Sequence, residues 1–267
     1  MLLLERYQQG EQVQVWRELL EHGVSVREQP YVDQAQDVVQ ETMKRVRYNV
    51  ETLYERLLSL DYRFVEPESA FVPPSHDVEE KIAAFEKRVG RIPLAVREWF
   101  RSVGKVDFRG SHPELSSYYS TAQDLAFHPN YRPHQNNESY PYYTDPLYFP
   151  NIEEALELSE DEEAVQELES WFCVPDWHTK ANVSGLVYFM RLPNGAVDGQ
   201  FEYEPHQTTF VDYLRTAFMW GGFPGFDLHT APEFEVWRKK WQVLSVYPEF
   251  PIPYETLQAL SSGLQSI

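Results

Sequence analysis

The sequence predicts an α+β fold, because helical and extended patterns both occur along its 267 residues. Apolar residues recur at helical spacing in residues 33–60 and in residues 78–103. Residues 185–192 and 196–201 are instead two apolar runs separated by a Pro and by Asn194-Gly195, which is typical of a β-hairpin. Hydrophobic residues make up 42% of the chain, which allows a substantial core and argues against a disordered chain.

The N-terminal part of the chain is predicted to be helical. Val13, Trp16 and Leu20 indicate a short helix that ends before Gly23. Residues 33–60 carry an apolar seam in steps of three and four, which is typical of a long helix with a heptad pattern. The seam consists of Val39, Met43, Val46, Val50, Leu53, Leu57 and Leu60.

Two interpretations of this seam are open. It packs against the chain's own core, or it is a self-association surface, so that the chain is a monomer or a dimer through the 39–60 helix. Arg45, Arg47 and Arg56 near this helix are typical of a solvated face and do not indicate a nucleic-acid contact.

The stretch from Pro67 to Pro74 contains three prolines and indicates a linker. We therefore expect an N-terminal helical extension over residues 1–66. Residues 75–267 are expected to form the main domain, with helices at its C-terminal end.

Residues 78–110 have the pattern of two short helices separated by a break. Asp77 and Glu80 form a capping-box pattern at the start of the first helix. Gly90 favours the left-handed conformation that ends a helix, and Pro93 suits the first turn of the second helix.

These residues resemble the opening signature of the SUKH superfamily, a module shared by bacterial toxin-immunity proteins and fungal cell-wall regulators. The chain departs from the family pattern at Ile92, where Leu is usual, and at Val103, where a polar residue is common. The resemblance extends less sharply through Asp145-Pro146-Leu147, covers residues 75–226, and implies a twisted, mostly antiparallel sheet with helices packed on it. The matching residues are Ile82, Phe85-Glu86, Gly90, Ile92-Pro93, Trp99-Phe100 and Gly104.

Residues 111–146 show little periodicity, and a loop of this length is often functional unless it contains short strands. We predict short strands at Val106–Phe108, Tyr118–Tyr119, Ala126–Phe127 and Leu147–Phe149.

An acidic helix is predicted to begin after this region. Asn151 and Glu154 form a second capping-box pattern, and the helix that they open carries nine acidic residues and no basic one up to Glu169. Trp171 and Phe172 would lie on its inward face. Further helices are predicted over residues 210–218, capped by Thr208 or Thr209, over residues 234–241 and over residues 253–260.

Negative charge is concentrated in the second part of the chain. The formal net charge is −19; residues 1–110 hold 16 Lys and Arg against 19 Asp and Glu, whereas residues 111–267 hold 7 against 23. Such a field opposes binding to nucleic acid and to anionic membranes. It favours a basic protein partner, chiefly by speeding the encounter, although the charge can also serve solubility alone.

The sequence favours a cytoplasmic location. The N-terminal Met-Leu-Leu-Leu run is followed at once by Glu5 and Arg6, and it is too short for a signal peptide or a membrane span. Cys173 is the only cysteine, so no internal disulfide can form, which is typical of a reducing compartment. It lies between Phe172 and Val174, as a buried structural cysteine does.

The usual motifs of metal, nucleotide and nucleophile sites are absent from the sequence. His112, His128 and His134, with Asp124 between them, lack the spacing of a zinc site such as H-E-x-x-H. The chain contains no G-x-G-x-x-G, no P-loop and no G-x-S-x-G pattern. We therefore expect no metal and no cofactor.

One polar cluster stands out among aromatic neighbours. Asp176, His178, Lys180 and Asn182 occupy alternate positions and would share one face of an extended segment. One hypothesis is an enzyme centred on Asp176, His178 and Lys180, with the Asp–His pair as general base. The alternative is that these groups hydrogen-bond loop backbone.

We expect protein binding and not catalysis. The resemblance implies an immunity-type protein that binds and neutralises a basic, nuclease-like toxin; a regulatory adaptor unrelated to toxins is the alternative. Residues 220–226 form a glycine-rich stretch, and its aromatic residues are either exposed anchors or buried against the sheet. The candidate contacts are Glu160, Asp161, Glu162 and Glu163 in the acidic helix, and Trp220, Phe223 and Phe226 in that stretch.

Overall fold

The computed structural model describes residues 2–115, 144–159, 188–228 and 252–267, and the backbone of residues 170–174. Within these ranges, most of the ordered backbone is helical. The α-helices are α1 (Leu3–Gln8), α2 (Gln12–Glu21), α3 (Val32–Ser59), α4 (Val78–Val89), α5 (Leu94–Ser102), α6 (Ile152–Leu158), α7 (Phe210–Met219), α8 (Gly225–Leu228) and α9 (Tyr254–Ser261). Two 3₁₀ helices lie at Gly23–Arg27 and Pro67–Ser69.

The described strands are short, and they pair antiparallel in small sheets, which confirms the α+β class. One sheet pairs β1 with β4, a second has the order β2-β3-β5, and a third has the order β6-β7-β8. The strands are β1 (Arg63–Phe64), β2 (Phe71–Val72), β3 (Lys105–Asp107), β4 (Gly110–Ser111), β5 (Tyr148–Phe149), β6 (Ser170–Val174), β7 (Tyr188–Arg191) and β8 (Phe201–Glu202). In the sheet β2-β3-β5, Val106 pairs with Phe71 on one side and with Phe149 on the other.

Helix α3 lies at the centre of the N-terminal part and packs against α1, α5 and α9. The apolar seam lies on its buried face: Val39 is 2% exposed, and Met43 and Leu53 are fully buried. The buried Trp16 Nε1 on α2 donates to Thr42 Oγ1 on α3 at 3.2 Å. The seam is therefore internal, and its buried side chains do not reach the surface that a second copy would contact.

Two of the three arginines on α3 bind the C-terminal end of the chain, which corrects the expectation of a solvated face for these two; Arg47 has a 41% exposed side chain and pairs with Glu51 on the same helix. Arg45 Nη1 donates to the Ser266 carbonyl at 3.0 Å, and Arg56 Nη1 donates to the Leu260 carbonyl at 2.6 Å. Asn49 exchanges hydrogen bonds with the Gln265 backbone at 2.7 and 2.9 Å. Residues from the predicted extension and from the predicted main domain share one hydrophobic core.

The two helices of the SUKH-like stretch are present, but their N-terminal ends differ from the prediction. The Asp77 carboxylate does not cap α4, because it accepts a hydrogen bond from Lys81 Nζ at 2.8 Å. Gly90 ends α4 with a φ of +80°, as the sequence suggested. Pro93 precedes α5 and is not in its first turn.

The two strands of the predicted hairpin pair with each other, but the loop that connects them is longer than the predicted two-residue turn. Phe189 on β7 pairs with Glu202 on β8, but residues 192–200 separate the two strands. Neither Asn194 nor Gly195 has the positive φ that a type I′ turn requires. The loop instead caps α5, because the Ala196 and Val197 carbonyls accept hydrogen bonds from the first N–H groups of that helix at 3.2 and 2.9 Å.

Two other predicted caps are confirmed. Asn151 Oδ1 accepts from the Glu154 N–H at 2.9 Å, and Thr209 Oγ1 accepts from the Asp212 N–H at 3.5 Å. The buried Asp198 carboxylate adds a hydrogen bond from the Val211 N–H at 3.1 Å. Residues 170–174 form strand β6, so the expectation that the acidic helix continues through Trp171 and Phe172 is wrong. The strands predicted at 118–119 and 126–127 and the helix predicted at 234–241 lie outside the described residues.

The turn after α5 allows a test of this packing. Gly104 has a φ of +92°, and a Cβ built there would lie 2.2 Å from the Val72 carbonyl oxygen. We expect Gly104→Ala to lower the free energy of unfolding by about 3 kcal/mol, because strain and overlap with backbone add. The control is Gly10→Ala, at a φ of +107° with nothing within 4 Å, for which about 1 kcal/mol is expected. Urea unfolding measures both, and equal losses would contradict the close approach of β2.

Candidate functional site

Two of the three aromatic residues in the glycine-rich stretch, residues 220–226, are buried in the structure. Phe223 is 0% and Phe226 is 1% exposed, so neither can be an exposed anchor. Gly221 and Gly222 have φ values of +61° and +94°, which turn the chain back onto the core. The Gly222 carbonyl accepts a hydrogen bond from the Leu147 N–H at 2.8 Å, next to β5.

Trp220, the third predicted contact of this stretch, is half-buried and lies between two exposed apolar side chains. Its ring centroid is 6.3 Å from that of Tyr254, and its Nε1 donates to Asp227 Oδ1 at 2.7 Å. Met219 is 69% exposed and Tyr254 is 59% exposed. We call Met219, Trp220 and Tyr254 the aromatic ridge.

Sequence reasoning identified only Trp220 of this ridge. Met219 is the last residue of α7, and Tyr254 begins α9 after a long intervening segment. No periodicity connects positions so far apart. The exposed end of an otherwise apolar helix, Phe210–Met219, is the signal that could have pointed to Met219.

The predicted contacts of the acidic helix and the polar cluster of residues 176–182 are not among the described residues. Glu160, Asp161, Glu162 and Glu163 lie outside the described residues, as do Asp176, His178, Lys180 and Asn182.

A buried ion cluster, absent from the sequence-based expectations, supports the base of the ridge. His206 Nδ1 lies 2.5 Å from Glu204 Oε1, and His206 Nε2 lies 3.5 Å from Asp227 Oδ2. The second contact is an ion pair without hydrogen-bond geometry, since Nε2 has no hydrogen-bond partner in the described part of the chain. Asp227 also accepts the Trp220 hydrogen bond, so the cluster fixes the ridge's central ring.

Glu204 holds the loop that presents His206. Its carboxylate accepts hydrogen bonds from the His206 N–H at 2.9 Å and from both the N–H and the hydroxyl of Thr208 at 3.2 Å. Tyr203 and Gln207 flank the turn with φ values of +62° and +55°, a backbone conformation that residues other than Gly rarely adopt. The carboxylate thus compensates a strained turn, and no local sequence pattern marks such a turn in advance.

The electrostatics of this cluster favour a structural role. Burial lowers the pKa of His206, but its interactions with Asp227 and Glu204 outweigh this and raise the pKa to about 10. The pKa of Asp227 is lowered, first by its contact with His206. At neutral pH the ring is therefore a fixed cation between two carboxylates, with 8% of its side chain exposed. A general base needs a pKa near the working pH and access to substrate, and this histidine has neither.

Within the described ranges, no group of three or more His, Cys, Asp or Glu side chains is arranged to hold a metal ion. His112, one of the histidines considered above, accepts a hydrogen bond from the Glu114 N–H at 3.2 Å through Nδ1. Among the helices of the described residues, none combines the length and the apolar character needed to cross a membrane.

The raised pKa of His206 predicts a pH-dependent stability. The protonated ring stabilises the folded state fully below its unfolded value of 6.5, and this contribution is lost as the pH rises toward 10. We expect His206→Gln to lower the free energy of unfolding by about 3 kcal/mol at pH 6, and by clearly less at pH 9.5. His76→Gln, at an exposed position, is the control and should have little effect at either pH. A loss for His206→Gln that is the same at both pH values would show that packing, and not charge, is involved.

Comparison of the chain with protein-family models, with curated proteins and with solved structures finds no match in any of the three. The resemblance to the SUKH superfamily therefore rests on the motif residues themselves and stays a prediction.

Proposed function

We propose that this protein is a non-catalytic binding module that captures a basic protein partner in the cytoplasm. By its resemblance to SUKH proteins, the proposal extends to an immunity-type role in which the partner is a nuclease-like toxin. An intracellular adaptor with an unrelated basic partner is the second form of the same proposal.

The observation that carries the proposal is the aromatic ridge. Protein interfaces draw much of their affinity from a few exposed aromatic and Met side chains surrounded by polar groups. Here two side chains that are more than half exposed flank Trp220. The exposed Glu255 next to Tyr254 adds an acidic group at the edge of the ridge.

The distribution of charge supports a basic partner. In the first 110 residues many acidic groups are paired: Arg6 binds Glu18 at 2.6 Å and Arg101 binds Glu79 at 2.5 Å. Residues 111–267 have only 7 basic side chains for 23 acidic ones, so most of their negative charge is in excess of the basic residues of the same segment. Such a surface raises the encounter rate with a positively charged protein.

Capture of the partner tests the proposal directly. The purified chain is immobilised, incubated with extract of its source cells at low salt, and eluted with a rising salt gradient. We expect the retained protein to have a basic net charge and to elute with salt. Retention of acidic proteins, or retention that salt does not change, would contradict the proposal, and a toxin that is inactivated on binding would favour the immunity form.

Reversing the charge of the predicted acidic helix should slow association with the captured partner. For Glu160→Lys/Asp161→Lys/Glu162→Lys/Glu163→Lys we expect an association rate about tenfold lower at low salt and a weaker dependence on salt. Stopped-flow or surface-based kinetics measure both.

A matched control changes the net charge equally in the first 110 residues. Glu21, Glu55, Glu68 and Glu80 are all exposed, and each is replaced by Lys. If both quadruple variants slow association equally, the effect belongs to net charge and not to the acidic helix.

Truncation of the aromatic ridge should act on the dissociation rate instead. Met219→Ala/Tyr254→Ala removes two exposed side chains, and we expect dissociation to become about tenfold faster while association changes little. The control is Val24→Ala/Leu58→Ala, at apolar side chains that are 68% and 49% exposed elsewhere. An unchanged dissociation rate for the ridge variant would remove the ridge from the interface.

A further inference from the structure

A cavity of about 280 Å³ lies where the 3₁₀ helix Gly23–Arg27, helix α3 and helix α5 meet. Four of its ten lining residues are arginines, which is unexpected in a chain with a net charge of −19. They are Arg27, Arg91, Arg97 and Arg101.

Two of the four arginines pair with acidic groups, one closely and one loosely. Arg101 forms a bidentate ion pair with Glu79 at 2.5 and 2.7 Å and is therefore neutralised. Arg97 Nη1 is 3.6 Å from Glu86 Oε2, which is a loose contact, and its buried Nε has no hydrogen-bond partner in the described ranges. A buried guanidinium N–H without an acceptor is rare in folded proteins, because its desolvation is not compensated.

In the described part of the chain, neither of the other two arginines has a carboxylate bound to it. Arg27 donates to the Gly195 carbonyl at 2.8 Å and to the Ile92 carbonyl, both of which are uncharged. The pKa of Arg27 is lowered by burial and by the charges of Arg97 and Arg91, although Glu86 acts in the opposite direction. Arg91 is exposed and makes no ion pair with any described residue.

Glu98 is the one carboxylate among the lining residues. It is 3.6 Å from Arg101 Nη1 and accepts a hydrogen bond from the Ser102 hydroxyl at 2.6 Å. Its charge is therefore directed toward Arg101. The charges of Arg27 and Arg91, and that of Arg97 in part because it also contacts Glu86 at 3.6 Å, are left for the rest of the cavity. Gln36 and Gln40, both exposed on α3, add neutral amide donors at its edge.

We propose that this cavity is a binding site for a phosphate group, held by Arg91 and Arg97, with the charge of Arg27 in the same lining. Guanidinium groups present paired N–H donors that match the oxygens of phosphate, and phosphate supplies the acceptor that Arg97 Nε lacks. The volume is slightly below the usual range for drug-sized ligands, which suits inorganic phosphate or the head of a small phosphomonoester.

Isothermal titration with inorganic phosphate tests the site. The full chain is titrated at pH 7 and constant ionic strength, with chloride replaced by phosphate. We expect one site per chain, and binding about tenfold weaker in Arg91→Gln and in Arg97→Gln, because each loses a charge-assisted contact. Arg91→Gln should fold normally, since the side chain is exposed; a urea midpoint measured without phosphate verifies this for both variants.

Arg17→Gln is the matched control, because it removes the same charge from an exposed position outside the cavity, and its affinity should equal that of the wild type. A parallel titration with ribose 5-phosphate separates the two sources of the group: tighter binding indicates a phosphomonoester, and equal binding indicates free phosphate. No binding at tens of millimolar phosphate, equal weakening by Arg17→Gln, or acetate binding as tightly as phosphate would each overturn the proposal.

Discussion

The packing of aromatic rings around Phe149 is the constraint on which the described structure depends. The Phe149 ring centroid lies 5.0 Å from those of Trp99 and Phe210, 5.7 Å from that of Tyr213 and 6.0 Å from that of Phe201. These rings come from α5, β5, β8 and α7, which are far apart along the chain. The first three pairs are edge-to-face and the pair with Phe201 is stacked; such aromatic pairs stabilise a fold by about 0.5–1.5 kcal/mol each beyond the apolar area that they bury. The short strands form few hydrogen bonds with one another. The aromatic contacts therefore contribute much of the energy that holds the sheets against the helices.

Both candidate sites are extensions of this packing. Trp99 faces the rings from α5, and the same helix carries Arg97 and Arg101 to the phosphate cavity. Phe210 and Tyr213 hold α7 against Phe149, and the C-terminal end of that helix carries Met219 and Trp220 of the aromatic ridge. Each site is thus presented by a helix whose opposite side is buried, which is the arrangement that keeps a binding surface rigid.

Sequence reasoning succeeded for the α3 seam and for two helix caps, and it failed where another group engaged the residues on which a predicted cap or turn depended. The seam of α3 and the caps at Asn151 and Thr209 depend on residues a few positions apart, and the structure has them as expected. The Asp77 cap fails because Lys81 takes its carboxylate, in a pair that also reaches Glu153 at 2.6 Å. The turn at Asn194-Gly195 fails because the loop supplies carbonyls to α5, about a hundred residues earlier. At Asn194-Gly195 a tertiary partner outweighed the local preference, whereas at Asp77 the competing group is Lys81, four residues along the same helix.

The candidate sites depend on which charged side chains remain without an ion-pair partner after folding. The amino-acid composition does not determine this. The first 110 residues are nearly neutral in total, yet Glu79 neutralises Arg101, while Arg91 has no carboxylate bound to it among the described residues. His206 shows the opposite outcome, since two acidic groups from separate segments enclose a single histidine and convert it into a fixed cation. Net charge therefore predicts the long-range field, which governs how quickly a partner arrives. Only the residual charges, placed by the fold within a few ångströms of one another, determine what can bind once it has arrived.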